Sequence, residues 1–351
     1  MKKVIIILGG KSGEHEVSVK SAQSIEDNID RNKFDTTVIG IAHNGSWIYG
    51  GTIESITHEG KVKENGKDTL PTQEVTEYLL KADIIFPIIH GTNGEDGTLQ
   101  GLLDLANLPY VGSGVLGSAV CMDKVIQKQL CAIAGIPQTN YTFFNKTDWE
   151  NNQNNILEVI NSQLSYPLFV KPANLGSSVG ISKVSSTETL AAAIKESLQF
   201  DNKIIIEAGL TNILEIEVSV MGNNQPETSV CGSITPNTDF YDYETKYVTD
   251  DIQAQIPAQI NQDDAQVIRE LAAETYKILN CEGLARVDFF YDPKSSQITL
   301  NEINTLPGFT EISMYPKLWK ETGINYQDLI TKLLEFSQES WQAKQDLQYT
   351  Y

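Results

Sequence analysis

The first apolar run, Val4–Leu8, is unbroken and stops at a glycine pair, Gly9-Gly10, the pattern of a parallel strand covered on both faces. A helical stretch over 16–28 and a second strand, Thr36–Ala42, follow it. A third apolar run, 82–91, contains Pro87 and ends at His90-Gly91, and a short apolar segment occupies 108–112. Strands alternating with helices predict a small parallel α/β unit over 1–112. Its glycine turns fall after strand ends, where open α/β sheets take their ligands. The polar stretch 43–80 reads as a β-rich insertion with no catalytic role.

Val120, Met122, Val125, Leu130 and Ile133 recur at helical spacing and predict one helix over 119–135, closed by Gly135 and Pro137. An Asn-rich polar stretch, 145–155, separates it from a helix at Ile156–Leu164. A strand–loop–strand over 166–184 and a strand over 203–210 complete a central unit, 113–210. Beyond it, alternation over 215–221, 284–291 and 298–304 predicts an antiparallel sheet in a third unit, 211–351. The last fifteen residues read as a helix end and a loose terminus.

Composition narrows the function. A net charge of −20 argues against a general nucleic-acid binder and against docking on an anionic membrane. Any anionic ligand then depends on individual lysines and arginines. Cys121, Cys131, Cys231 and Cys281 form no C-x-x-C pair and no zinc spacing, which predicts four reduced thiols in the cytoplasm. The opening apolar run is too short for a signal-peptide core, and no stretch reaches the length of a membrane span.

Chemistry concentrates in a few segments. In "LARVDFFYDPKSSQITLNEINTLPG", 284–308, two strands flank a turn. Alternation puts Arg286 and Asp288 on one face of the first strand, and Glu302 and Asn304 on one face of the second. If those faces coincide, the hairpin presents hard oxygen donors suited to Mg²⁺ carried with substrate phosphates. In "VKPANLGSSVGISKV", 170–184, Lys171 closes an apolar strand ahead of Gly176, Ser177, Ser178 and Gly180, small residues whose backbone can turn toward a phosphate. Glu207 ends another apolar strand. The opening "GGKS" is not a phosphate loop, because G-x-x-x-x-G-K-[ST] would need glycine where Ile5 stands. Nor do Gly9, Gly10 and Gly13 have the spacing of a dinucleotide fingerprint, which counts against a dehydrogenase.

The ordered segments "GGKSGEHEVS", "HGTNGEDGTLQG", "YVGSGVLGSAVCMDK", "FVKPANLGSSVGISKV", "YDYETKYVTDD", "GLARVDFFY" and "NEINTLPGFTEISMYPKLW" resemble the ATP-grasp superfamily, and within it the D-alanine–D-alanine ligases. The resemblance implies an ATP-grasp fold: an N-terminal parallel α/β domain, a central subdomain and a C-terminal antiparallel-sheet domain. It also implies ligation of two D-alanines through an acylphosphate, for cell-wall precursor synthesis. Its substrates would be D-alanine and ATP. Its ions would be two Mg²⁺, with Mn²⁺ as a substitute and K⁺ as a further candidate. The family implies a cytoplasmic homodimer.

Residue by residue, the resemblance places Lys124, Lys171, Ser177, Ser178 and Lys246 on ATP phosphates, Glu207 and Ala208-Gly209-Leu210 on adenine, and Glu215 on the ribose, with Glu217 the alternative. Asp288, Glu302 and Asn304 would bind Mg²⁺. Arg286 and the Gly308 N–H would stabilise the tetrahedral oxyanion. Glu14 would receive the first D-alanine's ammonium, and Ser313 and Met314 the second D-alanine's carboxylate, with His90 close by. Tyr247 and Ser177 would link to Glu14, and residues 239–251 would form a lid. Tyrosine at 247 goes with an amine nucleophile in the family, phenylalanine with D-lactate. The rivals are another carboxylate–amine ligase, which need not keep Glu14, Tyr247 and Ser313, and a nucleotide sensor, which would not need Arg286.

Overall fold

The computed structural model describes residues 1–64, 69–176, 178–235 and 253–348. β1 (Lys2–Gly9), α1 (His15–Asn28) and β2 (Phe34–Ile41) open the chain as the apolar pattern requires. Val4 to Leu8 are almost wholly buried because β1 is flanked by strands and covered on both faces. The next segment is not an excursion away from the sheet. It contributes β3 (Trp47–Gly50) and, after α2 (Ile53–Ile56) and the small ribbon β4 (Thr57–His58) and β5 (Lys61–Val62), β6 (Thr69–Leu70). α3 (Thr72–Leu79) leads to β7 (Ile84–Pro87), and α4 (Thr98–Leu105) follows. The sheet order is β6-β3-β2-β1-β7, with β2 and β7 parallel to β1 and β3 antiparallel to β2. β7 stops at Pro87, so His90 lies past the strand end in a loop; residues 108–112 form no strand but bridge to the sheet at Ile85 and Tyr110.

The helix expected over 119–135 is two: α5 (Val115–Met122) and α6 (Lys124–Ile133). Asp123 breaks it. Its carboxylate accepts from Val125 N at 3.0 Å and Ile126 N at 3.2 Å, and this N-cap outweighs continued helical periodicity. The Asn-rich stretch after β8 (Tyr141–Asn145) is also helical. α7 (Lys146–Gln163) starts there because Asp148 accepts from Asn145 N and Trp149 is buried against Phe144; the helix kinks at Asn152. β9 (Leu168–Pro172), β10 (Ser182–Val184), α8 (Thr187–Ser197) and β11 (Lys203–Ala208) complete an antiparallel sheet of order β10-β9-β11-β8.

The third sheet, β14-β13-β12-β15-β16, is built from β12 (Leu214–Gly222), β13 (Glu227–Thr235), β14 (Gln253–Gln255), β15 (Gly283–Asp292) and β16 (Gln297–Asn304). It is antiparallel as the alternation predicted. α9 (Gln262–Ile278) covers it with Ile268, Ala272 and Tyr276. α10 (Met314–Glu321) and α11 (Tyr326–Gln345) close the chain. α11 lays Leu329, Ile330, Leu333 and Leu334 into the core that holds Val4, Ile6 and Leu8, joining the two chain ends. The four cysteines are free, buried thiols, and among the described residues no helix is long and apolar enough to cross a membrane.

Candidate functional site

A cavity of about 530 Å³ opens between the first and third sheets. Its floor is the β12–β15–β16 surface. Glu217, Asp288 and Glu302 stand in one row across the three strands, and Ser219, Arg286 and Asn304 in the next. This row depends on a bulge. Counting pairs from Asp292↔Gln297, a regular hairpin would set Asn301 opposite Asp288 and turn Glu302 to the other face. The register slips by one residue between Phe289↔Leu300 and Asp288↔Glu302, and this restores Glu302 and Asn304 to the face of Asp288 and Arg286.

The row is held by charge. Arg286 donates from Nε to Asp288 Oδ1 and from Nη2 to Oδ2, both at 2.7 Å, and its Nε lies 3.1 Å from Glu217 Oε2. Asn304 Nδ2 donates to Asp288 Oδ2 at 3.0 Å. No three His, Cys, Asp or Glu side chains converge as a metal cage among the described residues. The donor set still fits Mg²⁺, which is held through one or two carboxylates with substrate phosphates filling the remaining positions.

Two lysines address the glycine loop after β9. The break at Asp123 starts α6 at Lys124, whose Nζ donates to Leu175 O at 2.7 Å. Lys171 sits near the end of β9 and binds Glu207 Oε2 at 2.8 Å. Lys128, one turn beyond Lys124 and buried, approaches Glu207 Oε1 at 3.4 Å. Burial raises the Glu207 carboxyl, but Lys171, Lys128 and Lys124 overcome it and hold Glu207 down to about 2. Burial lowers Lys171, but Glu207, Glu302 and Glu215 leave it above its ordinary value. For Lys128 burial wins over Glu207 and its pKa falls. The Ala208 and Gly209 N–H groups are taken by Asn140 O and by Pro167 O.

On the opposite wall, Glu14 is buried at the start of α1. A Cβ on Gly91 would lie 3.0 Å from Glu14 Oε2, so glycine there lets its loop approach this carboxylate, while one on Gly176 would make ordinary contact at 3.5 Å. The His90–Glu95 loop grips the peptide of Leu306 from both sides. His90 Nδ1 donates to Leu306 O at 2.7 Å, while Leu306 N and Thr305 Oγ1 donate to Glu95 Oε2 at 2.8 and 3.2 Å. Glu95 Oε1 accepts from Gly91 N at 2.9 Å. Ser21 Oγ bonds His90 Nε2 at 3.1 Å and accepts from Phe309 N at 3.4 Å. The segment around Gly308 is thus fixed from the first sheet's side. Burial and the nearby Glu14 push Glu95 up to about 7; burial lowers His90.

Glu14, His90, Lys124, Ser178, Arg286 and Glu302 all line the cavity. So do Asn304, Gly308, Ser313 and Met314. Ser313 caps the turn ahead of α10, its Oγ accepting from Thr310 N at 3.1 Å. Asp288 lies against Arg286 rather than on the lining, and Lys171, Glu207, Ala208, Gly209, Leu210 and Glu215 are also outside it. Ser177, Lys246, Tyr247 and the lid at 239–251 lie outside the described residues.

A family model described as D-ala D-ala ligase C-terminus matches residues 130–335, and its partner, D-ala D-ala ligase N-terminus, matches residues 3–113. A D-alanine–D-alanine ligase from Macrococcus caseolyticus (strain JCSC5402) is 43% identical over 350 residues, covering 99% of this chain and 98% of its own. The chain belongs to the D-alanine–D-alanine ligase family. The D-alanine–D-alanine ligase from Coxiella burnetii superposes with a TM-score of 0.82 at 32% identity, covering 98% of this chain and 96% of its own. VanG D-Ala:D-Ser ligase from Enterococcus faecalis superposes at 0.85 and 36% identity, covering 96% of this chain and 99% of its own. The mixed sheets are those of the ATP-grasp fold.

Against that family, two grips went unread in the sequence. Glu95 sits five residues after His90 within "HGTNGEDG", and Lys128 falls one helical turn after Lys124. Those spacings are the only signals either residue gave. Glu217, the alternative for the ribose, lies 3.1 Å from Arg286; Glu215, two residues earlier on the same strand face, lies near enough to Lys171 to raise its pKa.

Proposed function

We propose that the protein joins two D-alanines into D-alanyl-D-alanine at the expense of ATP, in the cytoplasm, for cell-wall precursor synthesis. The observation that carries this reading is one cavity lined by Glu14, Arg286, Gly308 and Ser313, drawn from separate segments of a chain matched end to end by a D-alanine–D-alanine ligase.

A carboxylate is a poor acyl donor, so it is first activated. A carboxylate oxygen of the first D-alanine bonds to the γ-phosphorus of ATP, and the bridging oxygen leaves with ADP. Glu14 holds the ammonium of that D-alanine, and Gly91 adds no side chain to crowd the Glu14 carboxylate. Lys124 and Lys171 neutralise the phosphates. When bound, two Mg²⁺ held by Asp288, Glu302 and Asn304 would neutralise the transferring phosphoryl group. The uncharged amine of the second D-alanine then attacks the acyl carbon, the C–N bond forms, phosphate departs with the C–O pair, and the proton lost from the nitrogen leaves as that of hydrogen phosphate. Arg286 and the Gly308 N–H stabilise the oxyanion between these events; a planar, permanently charged fork suits that task. Ser313 and the Met314 backbone orient the second carboxylate.

The test is incubation with ATP, Mg²⁺ and D-alanine, reading dipeptide by mass and ADP by coupled assay. D-serine and D-lactate serve as competing second substrates. Preferential D-alanyl-D-serine or D-alanyl-D-lactate formation overturns the second-substrate assignment. ADP release only with L-amino acids overturns the reading as a whole.

A further inference from the structure

We propose that Ser21 and His90 are positioning residues of the reaction: together they hold both ends of the short segment that presents the Gly308 N–H to the oxyanion. The proposal rests on reading that N–H as an oxyanion donor.

The hydrogen bonds follow successive peptides along the chain. Leu306 N donates to Glu95 Oε2 at 2.8 Å. The next peptide, Leu306–Pro307, offers its carbonyl to His90 Nδ1 at 2.7 Å. The one after it, Pro307–Gly308, carries the N–H in question, and Gly308 lines the cavity. Beyond that, Phe309 N donates to Ser21 Oγ at 3.4 Å. The peptide facing the cavity is therefore strung between two neighbours that are each tied down. To donate to a carbonyl, His90 Nδ1 must carry the ring proton, and this leaves Nε2 to accept the Ser21 hydroxyl proton at 3.1 Å. The bonds run from Phe309 N–H to Ser21, from Ser21 to His90, and from His90 back to Leu306 O. Both ring nitrogens of His90 are spent on this circuit, so His90 acts through the Gly308 segment and does not bind the amino acids.

α1 is the scaffold. Ser21 is fully buried and follows Glu14 by seven residues. That is two helical turns, about 10 Å along the axis, and it puts both side chains on one face. One helix thus carries at its start the carboxylate that takes the first D-alanine's ammonium, and two turns on the hydroxyl that anchors the oxyanion segment. A donor of this kind works by being in place before the charge develops, and a misplacement of about 1 Å can cost on the order of 100-fold.

The experiment separates positioning from structure by comparing ground-state and transition-state ligands. Ser21→Ala removes the hydroxyl alone. In the full-length enzyme it is expected to lower kcat by about tenfold or more, with KM for ATP and D-alanine changed less than about threefold. Titration calorimetry then uses two probes: ADP with Mg²⁺, and a phosphinate dipeptide whose tetrahedral oxygen mimics the oxyanion. Affinity for the phosphinate should fall with kcat, and affinity for ADP should hold. His90→Asn keeps an N–H for Leu306 O but is too short to reach Ser21. It should lose about as much as Ser21→Ala, and the double variant no more than the worse single, because both break one link. It carries the test if Ser21→Ala does not fold. Equal losses for both probes, or additive losses in the double variant, make the roles structural and overturn the proposal. Unchanged kcat and phosphinate affinity overturn it as well. A wild-type enzyme that makes no dipeptide and ignores the phosphinate refutes the reading of Gly308 instead.

Discussion

Glu95 offers the sharpest test of the cavity's electrostatics. Its carboxylate accepts from Gly91 N, Leu306 N and Thr305 Oγ1, yet burial and Glu14 still lift it to about 7. The unfolded carboxyl titrates near 4.5, so between pH 4.5 and 7 the folded chain holds a proton that the unfolded chain has released. Stability from this group is therefore complete below pH 4.5 and is lost as pH rises through 7. A shift of about 2.5 units corresponds to roughly 3 kcal/mol. Glu95→Gln cannot ionise, so it removes this slope. It keeps one acceptor oxygen and turns an NH₂ toward one of the two facing N–H groups, at a pH-independent cost of about 1–3 kcal/mol. The variant should be less stable than wild type at pH 5 and should equal or exceed it at pH 8. For 351 residues, an unfolding entropy of roughly 0.7 kcal/mol/K turns the 3 kcal/mol swing into about 4 °C. Calorimetric melting of both proteins across that range reads the difference directly. A gap that stays constant with pH would show that Glu95 is not the buried acid described above.

Three further outcomes follow from the same contacts. Arg286→Ala should abolish dipeptide formation while ADP binding by calorimetry stays within about threefold, because the guanidinium acts on the acyl step. Lys128→Met removes one of the two lysines on Glu207; ATP affinity should fall by about tenfold with kcat at saturation little changed, measured by initial rates. His15 and His90 are both held below the ordinary imidazole value, chiefly by burial. Each uses one ring nitrogen as an acceptor, from Val62 N and from Ser21 Oγ. Their contribution is complete above the ordinary imidazole value and is lost as pH falls below it, since the unfolded chain then takes up protons that the folded chain refuses. Hydrogen exchange at the Val62 and Phe309 amides should therefore accelerate on acidification relative to core amides of β12.

Period and punctuation alone located most of the elements. β1 reads as an unbroken apolar run because it is central, and β12, β15 and β16 alternate because their sheet has one polar face. The sequence could not show which competing local rule would win. Asp123 and Asp148 each offered a cap, one ending a helix that the apolar spacing would have continued, the other starting one in a run of asparagines. The face shared by Asp288 and Glu302 was legible only as a condition, because one bulged residue decides it. The grip of His90 and Glu95 on Leu306 spans more than two hundred residues, and no local pattern encodes it.

The union of β1 and α11 in one core bears on how the chain is made. Val4, Ile6 and Leu8 leave the ribosome well before Leu329, Ile330, Leu333 and Leu334, which supply part of their apolar cover. The first sheet can pair its strands early but waits, partly uncovered, until α11 has been made. Nascent chains stalled before residue 326 should thus bind chaperones and resist proteases less than full-length protein.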